Sequence, residues 1–398
     1  MSFARPWGSV AAMPTIAQIR ATPINAPLVA PYRFAFGSLA SFTTTIVEVL
    51  DSDGALGTGE TPHGDLAAVV ERLGGRLVGL DIEAANEAEA RCVARTGFSL
   101  WDDAGAERRA FGGIELALWD LRARRAGVPL VELLGGRVRD TVAFTEYFAL
   151  RHGKEETPAQ VIDYCLAAAA EFGSPLFEGK LGVLDVETEL AMVGDLSREL
   201  GPGRLLRLDA NGVYTVPTAR LVCRRLAEQG VAWLEDPCRT LGETERLRRD
   251  GVCLSFSTHE ADLARAARSS VPDGFCLDIA ELGGIRRTQD FLRACAALGI
   301  DFWCYSGDAG VMTAAYLHLT ASEASMIHPH QALFRFASDV VIEQGPYEPH
   351  AGQLDVPSGP GLGVTLDHAA LARLHERYRS EGEMAAATVA YRQGFRQQ

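Results

Sequence analysis

The sequence predicts an α/β protein: a modified (β/α)8 (TIM-like) barrel with an α+β capping domain formed by the N-terminal region and the C-terminal tail. Three observations carry this reading. From residue 141 onward, short apolar strands alternate with amphipathic helices, and about eight such repeats close a parallel sheet into a barrel. The strand ends, taken in order, carry Tyr147, Lys180, Asp209 with Asn211, Glu235, His259, Asp278, Ser306 and His330. They recur roughly every 20–30 residues, the length of one βα unit, and a barrel opens all its strand C-termini onto one face. Residues 15–62, in contrast, alternate and turn like an antiparallel sheet, which requires a second domain.

The N-terminal unit spans 15–140. IAQIRATPI and TTTIVEVLDSDGALGTGE alternate, with a hairpin turn at Ser52-Asp53-Gly54. Between them, APLVAPYRFAFGSLASF bears Pro, Gly and aromatics and is expected to be a mobile loop. Residues 64–96 carry helical spacing, and 97–110, with Phe98, Leu100, Trp101 and Asp102, is expected to form another loop over a site. GGIELALWDLRARRAGVPLVELLGG reads as a helix broken at Gly127-Val128-Pro129, followed by a shorter one.

The barrel spans 141–335, running from TVAFTEYFAL through PLFEGKLG, RLLRLDANG, AWLEDPC, CLSFSTH, FCLDIAEL and DFWCYS to SMIHPH. The helix TPAQVIDYCLAAAAEFG opens at Thr157-Pro158. Residues 336–398 leave no barrel strand to make and are expected to return to the capping domain, ending in a charged amphipathic helix.

Bulk composition narrows the function classes. With 398 residues and 47% hydrophobic content, the chain supports a large core and more than one domain. A net charge of −14 argues against nucleic acid or an anionic membrane as partner. It does not oppose a small anionic substrate, because a metal reverses the local sign. The eight cysteines form no CxxC pair and read as buried thiols of a reducing compartment. No apolar run reaches the length of a membrane helix, and the opening MSFARPWGSVAAMP reads as a frayed terminus, so a cytoplasmic location is expected. Only two lysines, Lys154 and Lys180, stand among 38 basic residues. Arginine holds its proton and lysine can release it, so a lysine kept at a strand end points to a removable proton.

Asp209, Glu235 and His259 end three successive strands. Neighbouring strands lie about 5 Å apart, so their end groups can converge on one ion. Two carboxylates with water or substrate oxygens suit Mg²⁺, and a histidine third ligand widens the choice towards Mn²⁺. Glu260 is the alternative third ligand, with His259 then orienting it.

These ordered segments resemble the enolase superfamily, in particular its mandelate racemase and glucarate dehydratase-like branch. The resemblance is carried by TTTIVEVLDSDGALGTGE, the helical GGIELALWDLRARRAGVPLVELLGG, FEGKLG, LDANG, WLEDP, DIAELGGI and PGLGVTLD, across nearly the whole chain. It implies that a small carboxylate, an acid sugar, binds Mg²⁺. A base then removes the proton α to the carboxylate, and the metal stabilises the enediolate. It assigns Asp209, Glu235 and His259 to the metal and Lys180 to the base. Asp278 matches the sixth-strand acid, and Tyr147 and His330 match substrate-contacting positions, with His330 as the acid for a departing β-hydroxyl. Asn211 and Tyr305 complete the expected substrate contacts. A symmetric homo-oligomer is expected.

Two positions depart from the family pattern. Glu178 stands where its first lysine is usual, and a carboxylate there makes Lys180 a poorer base. The seventh strand offers Tyr305 or Ser306 where a histidine partner of Asp278 is usual, so one-base chemistry on the lysine side is favoured. The first reading is therefore a metal-dependent acid-sugar dehydratase, a hydro-lyase yielding a 2-keto-3-deoxy acid. The alternatives are an epimerase or cycloisomerase on the same scaffold, and a metal-binding relative without catalysis.

Overall fold

The structure is a computed structural model and describes residues 13–93, 104–306 and 308–384. The chain opens on three antiparallel strands, β1 (Ile16–Phe34), β2 (Gly37–Asp51) and β3 (Leu56–Thr61), in the order β1-β2-β3. Helices α1 (Ala67–Gly74), α2 (Ala85–Cys92), α3 (Ala104–Ala126) and α4 (Leu130–Leu133) follow. β3 lies directly on α3 because it has glycines where the backbones meet. A Cβ on Gly57 or Gly59 would stand 2.1 Å from the carbonyl oxygens of Ala117 or Gly113. Buried Asp120 of α3 completes the joint, accepting from Thr58 N at 2.8 Å and from Leu362 N in the C-terminal segment at 2.7 Å.

Two expectations for this domain are corrected. The segment expected as a loop between the first strands is itself strand. β1 and β2 pair from Ile16↔Asp51 to Phe34↔Gly37, with register shifts between Ile16 and Gln18 and, within the expected loop, between Pro27 and Tyr32. The cross-strand ladder overrides the Pro and Gly signals because the prolines fall at the start and end of that irregularity. In the expected loop 97–110, residues from Ala104 onward form the first turns of α3, while Phe98, Leu100, Trp101 and Asp102 lie outside the described residues.

The barrel begins with β4 (Thr141–Ala143) and β5 (Glu146–Phe148). It continues through α5 (Pro158–Phe172), β6 (Leu176–Lys180), α6 (Val186–Leu200), β7 (Leu205–Asp209), α7 (Val216–Glu228), β8 (Trp233–Glu235) and α8 (Leu241–Arg249). Then come β9 (Ser255–Thr258), α9 (Leu263–Ala266), β10 (Gly274–Cys276), α10 (Ile279–Leu282), α11 (Ile285–Leu298), β11 (Asp301–Trp303), β12 (Tyr305–Ser306), α12 (Val311–Ser322) and β13 (Gln331–Ala332). Strands β5 to β11 form one parallel sheet in sequence order. The ring closes where β13 pairs with β12 and the Phe144–His330 bridge ties it to the strand before β5, with Thr145 N donating to His330 O at 2.9 Å.

Local signals set the helix ends. Thr157 and Gln160 form a capping box on α5 with Pro158 in its first turn, and Gly173 ends it at φ 67°. Phe177, Leu206, Leu208, Leu234 and Phe256 point outward and pack under the helices in one apolar cluster. The alternate residues therefore face the barrel axis.

After the barrel, β14 (Gln353–Asp355) pairs antiparallel with β4, and α13 (His368–Glu381) packs on β1, where His375 Nδ1 meets Pro23 O at 2.7 Å. All eight cysteines are free, and only Cys253 is exposed. Among the described residues, no helix is long and apolar enough to cross a membrane.

Candidate active site

Strand parity builds two layers along the barrel axis. In the lower layer, Glu178 of β6, Arg207 of β7 and Trp233 of β8 are in register. In the upper layer, at the strand ends, so are Lys180, Asp209 and Glu235. The expected base and two expected metal ligands thus lie side by side at one mouth.

In the upper layer, Lys180 Nζ contacts Asp209 Oδ2. Asn211, at φ 47°, folds back so that its backbone N donates to Asp209 Oδ1 at 2.7 Å and its Nδ2 to Oδ2 at 2.9 Å. Glu235 is fully buried, and its Oε1 accepts no hydrogen bond; the buried Asn211 Oδ1 also has none. His259 Nε2 stands 3.5 Å from Glu235 Oε1, and its Nδ1 pairs with Asp236 Oδ2 at 2.7 Å. The Glu260 carboxylate instead accepts from Leu241 N at the start of α8, at 3.0 Å. Of the two candidates for third ligand, His259 is therefore the one that converges on Glu235. Unpartnered acceptors beside two acids and an oriented imidazole are what a divalent cation would satisfy, so these residues fit one.

The charges are strongly coupled. Burial favours a neutral Lys180, but Asp209, Tyr147 and Tyr32 outweigh it and raise the ammonium pKa. Burial also works to raise the Asp209 carboxyl, yet Lys180 and His259 hold it below the usual range. Glu235 is pushed upward, first by burial and then by Asp209, with His259 opposing. His259 resists its own burial because Glu235 and Asp236 favour the imidazolium, so its pKa rises.

A cavity of about 150 Å³ lies over this layer. The barrel wall contributes Tyr147, Lys180, Asn211, His259, Tyr305, Gln331 and Leu333. The β1–β2 hairpin contributes Tyr32, Phe34, Phe36 and Phe42, and the end of β3 contributes His63. A wider opening of about 690 Å³ shares Phe36, Asn211 and His259 and continues past Asp236, Arg239 and Glu260.

The structure brings Lys180, Asp209, Glu235, His259, Asn211, Tyr147 and Tyr305 together, but not His330 or Asp278. His330 is fully buried away from the cavity. Its Nδ1 accepts from Cys304 N at 2.9 Å and its Nε2 meets Thr320 Oγ1 at 2.7 Å. Burial, and after it Arg207, pushes its pKa down to about 3, so the expected acid is a neutral structural histidine. The reason is parity: the next residue, Gln331, faces the cavity, and it also donates to Glu178 at 2.9 Å.

Asp278 likewise does not line the cavity. It caps α10 through Ala280 N at 2.6 Å, and its Oδ2 meets the Tyr316 hydroxyl. Burial and Glu281 push it up to about 8. Tyr305 ties its hydroxyl to Glu281 at 3.0 Å and presents its ring to the cavity, stacked on His63 at 5.1 Å. The side chain of Ser306 lies outside the described residues.

The sequence reading missed His63, Tyr32, Phe34, Phe36, Phe42 and Gln331. The four aromatics fell in a segment read as a loop. His63 carried no pattern at all; only its left-handed turn (φ 69°) and the unpartnered, buried Nε2 mark it.

Residues 16–135 match the family model for the mandelate racemase / muconate lactonizing enzyme N-terminal domain, and 160–370 match that for the enolase C-terminal domain-like family. The chain is 29% identical to the probable glucarate dehydratase of Streptomyces coelicolor, over 87% of this chain and 89% of that protein. It is 27% identical to muconate cycloisomerase 1 of Pseudomonas putida, over 87% and 94%. A Thermobispora bispora enolase crystallised with magnesium and formate superposes with a TM-score of 0.86 at 28% identity, covering 97% of this chain and 99% of that one.

Proposed function

Because the chain belongs to the enolase superfamily, we propose that it is a magnesium-dependent acid-sugar dehydratase with Lys180 as its base. The observation that carries this reading is the contact of Lys180 Nζ with Asp209 at the cavity wall, beside the unpartnered Glu235 Oε1.

Asp209 and Glu235 would hold the ion, with His259 as third ligand. When bound, magnesium supplies a fixed positive charge against the negative charge that develops on the substrate carboxylate. With Asp209 turned to the ion, the contact that favours the Lys180 ammonium would be weakened, and Lys180 as the neutral amine takes the proton from the α-carbon. With Asp278 and His330 withdrawn, no acid expected from the sequence remains on the opposite wall. The same lysine therefore returns that proton to the β-hydroxyl on its own face: the C–O bond breaks, water leaves, and the enol product becomes a 2-keto-3-deoxy acid. Glu178 does not oppose this. Arg207 Nη2, 2.6 Å away, matches its charge one layer below, and Thr145 and Gln331 complete its hydrogen bonds. Tyr32 and Tyr147 flank the lysine, and among the described residues neither hydroxyl has a hydrogen-bond partner, leaving both for substrate oxygens.

One observation favours a second reading. Phe34, Phe36 and Phe42 give the cap side of the cavity an apolar wall, which suits an unsaturated or partly apolar acid and hence cycloisomerisation.

A screen of aldonic and aldaric acids with magnesium, detecting 2-keto-3-deoxy products, tests the first reading. Turnover on one acid, lost in Lys180→Ala and in Lys180→Arg, supports it. Magnesium-dependent exchange of an α-proton into heavy water without elimination moves the assignment to the second, and neither turnover nor exchange refutes both.

A further inference from the structure

We propose that the barrel mouth holds a second, overlapping cation position, formed by Glu235, His259 and Cys276, that takes zinc-type ions. It shares Glu235 and His259 with the magnesium reading, but it does not depend on that reading being correct about turnover.

The position follows from strand parity. On β10, Phe275 packs outward against Phe291, while Gly274 and Cys276 face the axis. Gly274 pairs with Ser257, which is itself the register partner of Glu235, and a Cβ on it would meet the rings of Trp303 and Trp233 at 2.7 and 3.2 Å. Cys276, two residues further towards the mouth on the same side of the strand, is fully buried. One donor atom from each of Glu235, His259 and Cys276 lies within 4.8 Å of the other two.

The chemistry of the donors selects the ion. Zinc binds carboxylate oxygen and imidazole nitrogen at about 2.0–2.2 Å and thiolate sulfur at about 2.3 Å, so tetrahedral ligands stand roughly 3.3–3.6 Å apart. Glu235 Oε1 and His259 Nε2 are already 3.5 Å apart. The oxygen accepts no hydrogen bond, and Asp236 holds Nδ1 at 2.7 Å, which points Nε2 at the site. Magnesium prefers an octahedron of oxygens, so His259 would be its weakest ligand and sulfur adds little. A softer ion gains from both, with the thiol proton passing to solvent as the sulfur–metal bond forms. Three protein ligands leave the fourth tetrahedral position for water or a substrate carboxylate. Because Glu235 serves both positions, zinc-type ions and magnesium compete.

X-ray absorption of the zinc-loaded full chain tests the ligand set directly. A sulfur shell at about 2.3 Å is the expected result, and a shell of light atoms alone overturns the assignment. Cobalt(II) added to the ion-free protein gives the parallel optical test. The expected outcome is a thiolate-to-cobalt charge-transfer band that is lost in Cys276→Ser, kept in Cys253→Ser, and shifted to about 10–100-fold higher cobalt concentration in Asp236→Asn. A band absent from the wild type, or one that survives Cys276→Ser, refutes the proposal. Manganese(II) binding by electron paramagnetic resonance checks the hard position separately. Its retention in Cys276→Ser supports the assignment of the thiol to the soft position alone, and its loss there overturns the separation of the two.

Discussion

Strands β6 and β7 carry two acid–base pairs, one above the other. Glu178–Arg207 and Lys180–Asp209 are both cross-strand neighbours in register, and both are deeply buried. They differ in what surrounds them. Around Glu178, Thr145 and Gln331 complete the carboxylate's hydrogen bonds, and the Arg207 guanidinium lies 4.4 Å over the Trp303 ring and donates to Pro329 O. The upper pair borders a cavity and stands beside acceptors with no partner. In the lower pair the carboxylate is fully hydrogen-bonded, and of the pair's buried side-chain atoms only Arg207 Nε lacks a partner. That network holds the barrel interior in one arrangement, whereas the upper pair leaves acceptors open beside the cavity.

The strongest way to break the comparison is Lys180→Ala measured with magnesium present. Turnover should fall about 10²–10⁴-fold, the range for a lost proton-transfer group, with the urea midpoint little changed. Retained turnover would make the upper pair as structural as the lower.

Next in size, Arg207→Met should lower stability by about 3–5 kcal/mol, because it leaves Glu178 buried without its countercharge. Adding Glu178→Met should recover most of that loss in the urea midpoint. A double variant as unstable as the single would show that the network stabilises through packing, not charge.

A third effect depends on pH. His330 and His318 are buried neutral, with burial pushing them down to about 3 and about 4. Unfolded histidine titrates near 6.5. Between these values the unfolded chain binds more protons, so this stability is full above pH 6.5 and is lost as pH falls. His330→Asn should flatten the dependence of unfolding free energy below pH 6.5 by up to about 1.4 kcal/mol per pH unit relative to wild type. Parallel profiles would mean that His330 is protonated in the fold after all.

The smallest expected change separates Asp278 from the site. Tyr316→Phe removes a hydroxyl that touches Asp278 and lies 2.6 Å from Tyr305 O. It should cost about 1 kcal/mol in stability and leave turnover within a few-fold of wild type. A collapse of turnover would return Asp278 to catalysis.

The barrel and its mouth were legible in the sequence because periodicity and strand-end chemistry are local. Lys180, Asp209, Glu235 and His259 each follow an apolar run, and the βα spacing alone places them on one face. Errors arose where parity decided. His330 and Gln331 are adjacent, and only the pairing of β13 with β12 shows which one faces the axis. Asp278 has the right place on its strand; its capping of α10 is a local Asp-x-x-Glu signal that the strand-end reading passed over, and only its Tyr316 contact is long-range. The cap's share of the cavity was hidden for another reason. The β1–β2 ladder comes from long cross-strand pairing that overrides local Pro and Gly signals, so Tyr32, Phe34, Phe36 and Phe42 had no visible address. His63 belongs to neither domain's pattern, being one residue in an unusual turn.

That turn is not alone. Of the non-glycine residues with left-handed backbone, His63, Asn211 and Asp236 all border the cavity or its wider opening, with φ of 69°, 47° and 39°. Glycine would adopt each conformation at less cost. Replacing them would be an obvious route to a sturdier protein, yet each swap would delete a side chain that faces the ligand or aligns one that does. Heat tolerance and competence are therefore set against each other at the same three positions, and a stabilised version of this chain has to find its gains elsewhere.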